Sequence, residues 1–219
     1  MCFSATANFA GGAVIATVGI ATLLRVKHTN EVLFAALPLL FALHQIIEGF
    51  VWLGLDGKLS PAVLNGMGAA FMLYAQGLLP ILMPLSVWLI EPGQNQRQRI
   101  LPFMVIGIAL ALYILWALTA FDTRIFQSEN SIVYLNEGTN YTTVAVVYVI
   151  ATCGPLFLSG YSYLIGLGVA NLLGILEVMY FKAEAFTSLW CLYAAIVSVL
   201  IYGHFHRRRA AENAYKVGA

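Results

Sequence analysis

Apolar residues gather into seven runs along this chain, at about 6–25, 32–55, 62–90, 100–120, 142–161, 163–181 and 185–205, with short polar punctuation between them. A helix rising about 1.5 Å per residue crosses a hydrocarbon core of about 30 Å in a run of this length. The pattern predicts an all-α membrane protein, a bundle of seven transmembrane helices filling residues 1–219 as a single domain. AspGlyLysLeuSerPro (56–61) and GluProGlyGlnAsnGln (91–96) carry the residues that set turn dihedrals. Pro80 and Pro84 fall inside the third run, where they predict a kink rather than an end, because neighbouring helices can satisfy the freed carbonyls. The one long interval, Phe121 to Tyr141, alternates apolar and polar residues. It predicts a short strand or interfacial segment, long enough to act as a lid.

Composition agrees with the pattern. Hydrophobic residues make up 61% of the chain and charged residues 10%, with a mean hydropathy of +0.84. A soluble domain carries about 25% charged residues. The net charge of +1 gives no basis for nucleic-acid binding. Cys2, Cys153 and Cys191 have neither disulfide-type nor zinc-type spacing. The first run lacks a preceding basic region and a following small-residue cleavage site, so it reads as a retained helix rather than a signal peptide. Arg25, Lys27, Arg97, Arg99 and Arg207 to Arg209 fall on one side of the seven-run count, against Lys58, Arg124 and Lys182 on the other. The positive-inside rule then puts the N-terminus outside and the C-terminus in the cytoplasm.

The second run holds His44 and Glu48 in its interior, four residues apart. Ionisable groups at that depth are costly unless they are paired or serve a site. Helical rise puts Glu48 about 6 Å further out than His44, and Phe41, His44, Glu48 and Trp52 share one helix face. Glu177 lies near the outer end of the sixth run, with Asn171 and Gly174 on its face at three-residue spacing, at a height close to that of Glu48. These positions predict a polar pocket in the outer half, lined by His44, Glu48, Glu177, Trp52, Tyr74 and Asn171. Cys2, on an apolar N-terminal stretch, is placed to tuck over its mouth. Tyr74 and Gln76 lie in the upper middle of the third run, but two residues turn a helix by about 200°, so only one of them can face inward. One imidazole and two carboxylates, from His44, Glu48 and Glu177, form an acceptable ligand set for a divalent metal such as zinc, or for manganese or ferrous iron. The competing interpretation is plain interhelical hydrogen bonding, worth about 1 kcal/mol per bond.

The stretches MetCysPheSerAlaThrAla (1–7), LeuProLeuLeuPheAlaLeuHisGlnIleIleGluGlyPheValTrpLeuGlyLeu (37–55) and LeuTrpCysLeuTyrAlaAla (189–195) resemble an uncharacterised bacterial family of small multi-span membrane proteins. The resemblance implies a multi-pass protein of the bacterial cytoplasmic (inner) membrane and brings no activity with it. Seven runs with buried His and acid groups are also similar to membrane hydrolases related to alkaline ceramidases, which carry a His-x3-His pair in the last span. Here the pair is His204-x-His206, a spacing that departs from one helix face, and three arginines follow it.

Three classes of function fit these residues. A metal-dependent hydrolase would hold a metal-bound water against a lipid-like substrate. A proton- or ion-coupled transporter would cycle the same carboxylates, but it needs polar residues down to the cytoplasmic face, and these are sparse in the sequence. A structural or receptor-like bundle would use the cluster to fix helix register, with the bilayer, or a small-molecule or lipid ligand, as its partner.

Overall fold

Small residues set the closest helix pair. In the computed structural model, which describes residues 4–128, 131–181 and 186–217, and side chains at all of these except 176–193 and 211–217, the first helix is α1, Ala5–Leu23. Ser4 caps it, its Oγ accepting from the Ala7 amide at 3.2 Å. Its buried stripe is Asn8, Gly11, Gly12, Ile15, Gly19 and Thr22. Gly12 and Gly19 in that stripe let its backbone approach α2 (Val32–Leu55) closely. The two helices run antiparallel, with Gly12 against Ala42 and Gln45, and Gly19 against Leu39.

The third helix, α3, is continuous over Pro61–Ile90. Ser60 caps it and Pro61 takes the first helical turn, where a missing N–H costs nothing. Its middle, Leu73–Leu78, is π-helical. The Pro80 ring would press on the carbonyl four residues back, at Gln76, and widening the helix over that turn relieves the contact. The helix runs on through Pro80 and Pro84 rather than ending at either. On its other side is α4, Gln94–Ala120. A Cβ added at Gly107 would collide with the Pro80 carbonyl oxygen, a backbone atom that cannot rotate away. Gly107→Ala is therefore expected to destabilise the solubilised protein by about 3 kcal/mol, the upper end for overpacking, read as a lowered thermal midpoint.

After α4 the chain forms a hairpin. Strands β1 (Thr123–Ser128) and β2 (Ser131–Asn136) pair antiparallel, from Thr123 opposite Asn136 to Ser128 opposite Ser131. The alternation read in 121–141 is this hairpin: Ile132, Tyr134 and Asn136 face inward at period two. Asn136 anchors it, its Nδ2 donating to Phe121 O (3.1 Å) and Thr123 Oγ1 (3.0 Å) while its Oδ1 accepts from the Gly138 amide (2.9 Å). Three further helices complete the described chain: α5 (Thr142–Phe157), α6 (Ser162–Phe181) and α7 (Phe186–Val217). Helix α7 runs past residue 205 and α4 starts before residue 100. In both places Gln, Arg, Ala and Glu hold helix well although they are too polar for an apolar run.

The bundle exterior is apolar. Val14, Val105, Leu112, Trp116, Leu173 and Val199 are each more than half exposed. Surfaces of that kind on many helices are far larger than a soluble monomer tolerates. Four helices, Ala5–Leu23, Thr29–Leu55, Pro61–Ile90 and Gln94–Ala120, are long and apolar enough to cross a bilayer. This is a helical membrane protein.

One end of the bundle is tied by charge. Glu31, in the 3-10 turn preceding α2, is fully buried. Its carboxylate meets Arg208 at 3.0 Å and Arg209, and accepts from the amides of Lys27 (3.0 Å) and His28 (3.3 Å). Arg209 also donates to Arg25 O at 2.8 Å, and Arg25 donates to the Tyr202 hydroxyl at 2.6 Å. Nearby, Asn30 donates to Leu89 O, and Glu91 accepts from Ser159 Oγ (2.7 Å) and the Gly160 amide (3.0 Å). Arg25, Arg97 and Arg207 to Arg209 thus lie at one end, opposite the hairpin. Burial alone would raise the Glu31 pKa; the Lys27 amide, the guanidinium groups of Arg208 and Arg209 and the His28 amide outweigh it and hold the carboxyl below its ordinary 4.5.

Candidate functional site

The α2 face expected to look inward is buried. His44 is 3% exposed, Glu48 0%, and Phe41 and Trp52 are core residues. Opposite them the π-helical turn of α3 and the residues before it build a column of rings. Tyr134 of the hairpin stacks on Phe71 at 4.5 Å and 12°, Phe71 stacks on His44 at 4.0 Å and 15°, and Tyr74 lies tilted against His44 at 4.8 Å. Each such ring pair adds about 0.5–1.5 kcal/mol beyond its buried area, so the imidazole plane is held by packing on both sides. The widened turn after Met72 brings Tyr74 to that column. Gln76 is half-buried instead, consistent with the expectation that the two cannot both face the core.

The hairpin closes this region from above. Ile132 and Tyr134 join Val51, Trp52, Phe71 and Met72 in one buried cluster. A Cβ at Gly68 would run into Ile125 Cδ1, so the strand lies directly on α3. Tyr113 donates to Gly138 O at 2.7 Å and ties the far side of the hairpin to α4.

Polar atoms around the column lack partners among the described residues. They include His44 Nε2, Trp52 Nε1, the Tyr74 hydroxyl, both amide atoms of Gln45 and Oδ1 of Asn8. Asn8 lies one turn from Gly12, which packs on Gln45, so antiparallel packing sets Asn8 near the level of Glu48. A buried donor or acceptor left unmatched costs about 1–3 kcal/mol. Natural folds carry few of them, and here they gather on the helices that meet at His44.

Asn171 approaches from another direction. Its Nδ2 contacts Cys153 Sγ at 3.3 Å and its Oδ1 is unmatched. It borders a cavity of about 20 Å³ with Phe41, Tyr148 and Thr152. That space suffices for one water. Phe41 is one turn from His44, so this cavity adjoins the column without being part of it. Tyr148 and Thr152 of α5 also border it and stand out little in the sequence. Their only signal is a pair of hydroxyl residues at four-residue spacing within an apolar run; Thr152 Oγ1 donates to the Tyr148 backbone carbonyl at 2.8 Å.

The Glu177 side chain and Cys2 lie outside the described residues, as does the Cys191 side chain. Among the described residues no group of three His, Cys, Asp or Glu converges as a metal cluster. The C-terminal pair separates as its spacing implies. His204 is buried among the rings of Phe34, Tyr161, Tyr163 and Phe205, whereas His206 is exposed and stacks on Tyr202. The paired-histidine arrangement of the ceramidase-like hydrolases is therefore not formed by these two residues.

No curated protein and no solved structure matches this chain. Residues 1–216 match the family described as "Family of unknown function (DUF6629)", and the chain belongs to that family.

Proposed function

We propose that the chain is a seven-span protein of the bacterial cytoplasmic membrane, N-terminus outside, whose outer half binds a divalent cation through His44, Glu48 and Glu177. The observation that carries the reading is the His44 imidazole: rings fix its plane, its Nε2 is buried and unmatched, and the fully buried Glu48 follows one turn later. An imidazole nitrogen with no partner among the described residues is suited to a metal, and a carboxylate one turn further along the same helix face is a second ligand of the kind zinc and manganese accept. The unmatched amide oxygens of Asn8 and Gln45 are suited to waters on the cation. Such a site serves hydrolysis of a lipid-like substrate as readily as ion binding, and the hairpin above it would control entry from the outer leaflet.

The orientation follows from the arginines gathered at the end away from the hairpin. A reporter fused after residue 219 should read cytoplasmic, and a label at Asn130 should react from outside. Cation binding is tested by elemental analysis of detergent-purified protein after exposure to zinc or manganese and removal of excess. One equivalent per chain is expected, lost in Glu48→Gln and in Glu177→Gln. Metal at background in the wild type, or retained in both variants, would sink the reading.

A further inference from the structure

At the arginine-rich end, a groove of about 690 Å³ opens between the start of α6 and the stretch of α7 from Leu200 to Arg208. Its two ends differ chemically. Toward the hydrocarbon its walls are Gly166, Leu167, Ala170 and Leu200, and a Cβ added at Gly166 would meet nothing within 4 Å, so the channel there is open. Toward the rim stand His204, Arg207 and Arg208. Arg208 is engaged with Glu31. Arg207 is exposed and makes no hydrogen bond or ion pair with the described residues. The nearest described carboxylates, Glu31 and Glu91, are both committed elsewhere: Glu31 to Arg208 and Arg209, Glu91 to Ser159 and the Gly160 amide. The groove mouth is left with net positive charge.

The decisive feature is His204. Only 7% of it is exposed, it lines the groove, and its Nε2 has no hydrogen-bond partner among the described residues. Beside it α6 begins at Ser162; the Leu164 and Ile165 amides bond Tyr161 O, which leaves the Ser162 and Tyr163 amides, with the helix dipole, to favour an anion. The Tyr163 hydroxyl, which would otherwise face His204, donates instead to Leu200 O. A buried imidazole, an uncommitted guanidinium and a helix start thus converge above an apolar cleft.

We infer that this groove binds an anionic phospholipid of the cytoplasmic leaflet, its phosphate held by His204, Arg207 and the α6 start and one acyl chain lying along Gly166 and Ala170. The inference rests on the membrane-spanning reading above. The apolar continuation selects a lipid over free phosphate, since a free anion gains nothing from the lower groove.

The test uses the full chain in detergent, with the thermal midpoint followed during titration with phosphatidylglycerol, phosphatidylcholine or inorganic phosphate. Phosphatidylglycerol should raise the midpoint saturably and phosphatidylcholine should not. Arg207→Gln should weaken the apparent affinity about fivefold, the effect of one basic residue near an anionic lipid surface. Gly166→Leu, which fills the cleft without touching a charge, should abolish the selectivity while leaving the lipid-free midpoint unchanged or higher. An anionic-lipid response identical in both variants, or none at all, overturns the inference. Inorganic phosphate reproducing the full response, with the same sensitivity to Arg207→Gln, overturns the lipid and leaves an anion site. Carbonate extraction of membranes separates the two levels of failure: a chain that is released fails the membrane reading itself, whereas one that is retained but indifferent to lipid charge fails only here.

Discussion

Glu31→Gln is expected to destabilise the solubilised protein by about 3–5 kcal/mol, the cost of removing one partner from a buried ion pair. Glutamine keeps the size but leaves Arg209, itself buried, without a counter-charge, and Arg208 without its 3.0 Å contact. The loss should reach beyond the local turn, because Arg209 also holds Arg25 O and thereby joins the end of α1, the start of α2 and α7. Acid supplies an internal check. The folded Glu31 carboxyl is held below 4.5, so its stabilising effect is complete at neutral pH and is lost as pH falls through that lowered value. The gap in thermal midpoint between wild type and Glu31→Gln should therefore be widest near pH 7 and close in strong acid, where both side chains are neutral. Combining Glu31→Gln with Arg209→Met should recover part of the loss by removing the stranded charge. A gap independent of pH, or a double variant no better than the single one, would show that the ion pair is not what ties this end.

Hydropathy made the helices legible and left their ends uncertain. The third apolar run, read from about residue 62 to 90, is helix over Pro61–Ile90 because apolar length, a Ser60 cap and Pro61 at the first turn all agree. Helix α7 was harder, since residues 206–217 are polar helix formers to which a hydropathy pattern is blind. The membrane character and the helical class follow from the composition, and the structure adds the exposed apolar exterior.

The site was legible in part. His44, Glu48 and Trp52 are buried on one face because helical period and the cost of a charge in hydrocarbon both point inward. The aromatic column was not legible. It depends on the π-helical turn at Leu73–Leu78, which shifts the register of α3 by one residue, and on Tyr134, which reaches His44's neighbour Phe71 from a hairpin distant in sequence. The Glu31 knot was missed for a similar reason. Its partners are 177 and 178 positions away along the chain, and no local pattern pairs them.

His44→Phe separates a binding site from interhelical glue more sharply than truncation does. Phenylalanine keeps the ring between Phe71 and Tyr74 and removes only the nitrogens, of which Nε2 is unmatched among the described residues and the other bonds the Phe71 backbone. Without metal, eliminating the unmatched atom, worth about 1–3 kcal/mol, should outweigh the lost bond to the Phe71 backbone, worth about 1 kcal/mol, for a net gain of up to about 2 kcal/mol. His44→Ala empties the gap between two rings and should instead cost about 3 kcal/mol, as large-to-small changes in packed cores do. Both variants should lose bound zinc or manganese, so metal content and stability should change in opposite senses only for His44→Phe. If His44 were glue, each variant would lower the thermal midpoint and neither would alter metal content. The measurement is a pair of melting curves for each protein, chelator-treated and metal-loaded: wild type should gain stability on loading, and His44→Phe should start higher and gain nothing.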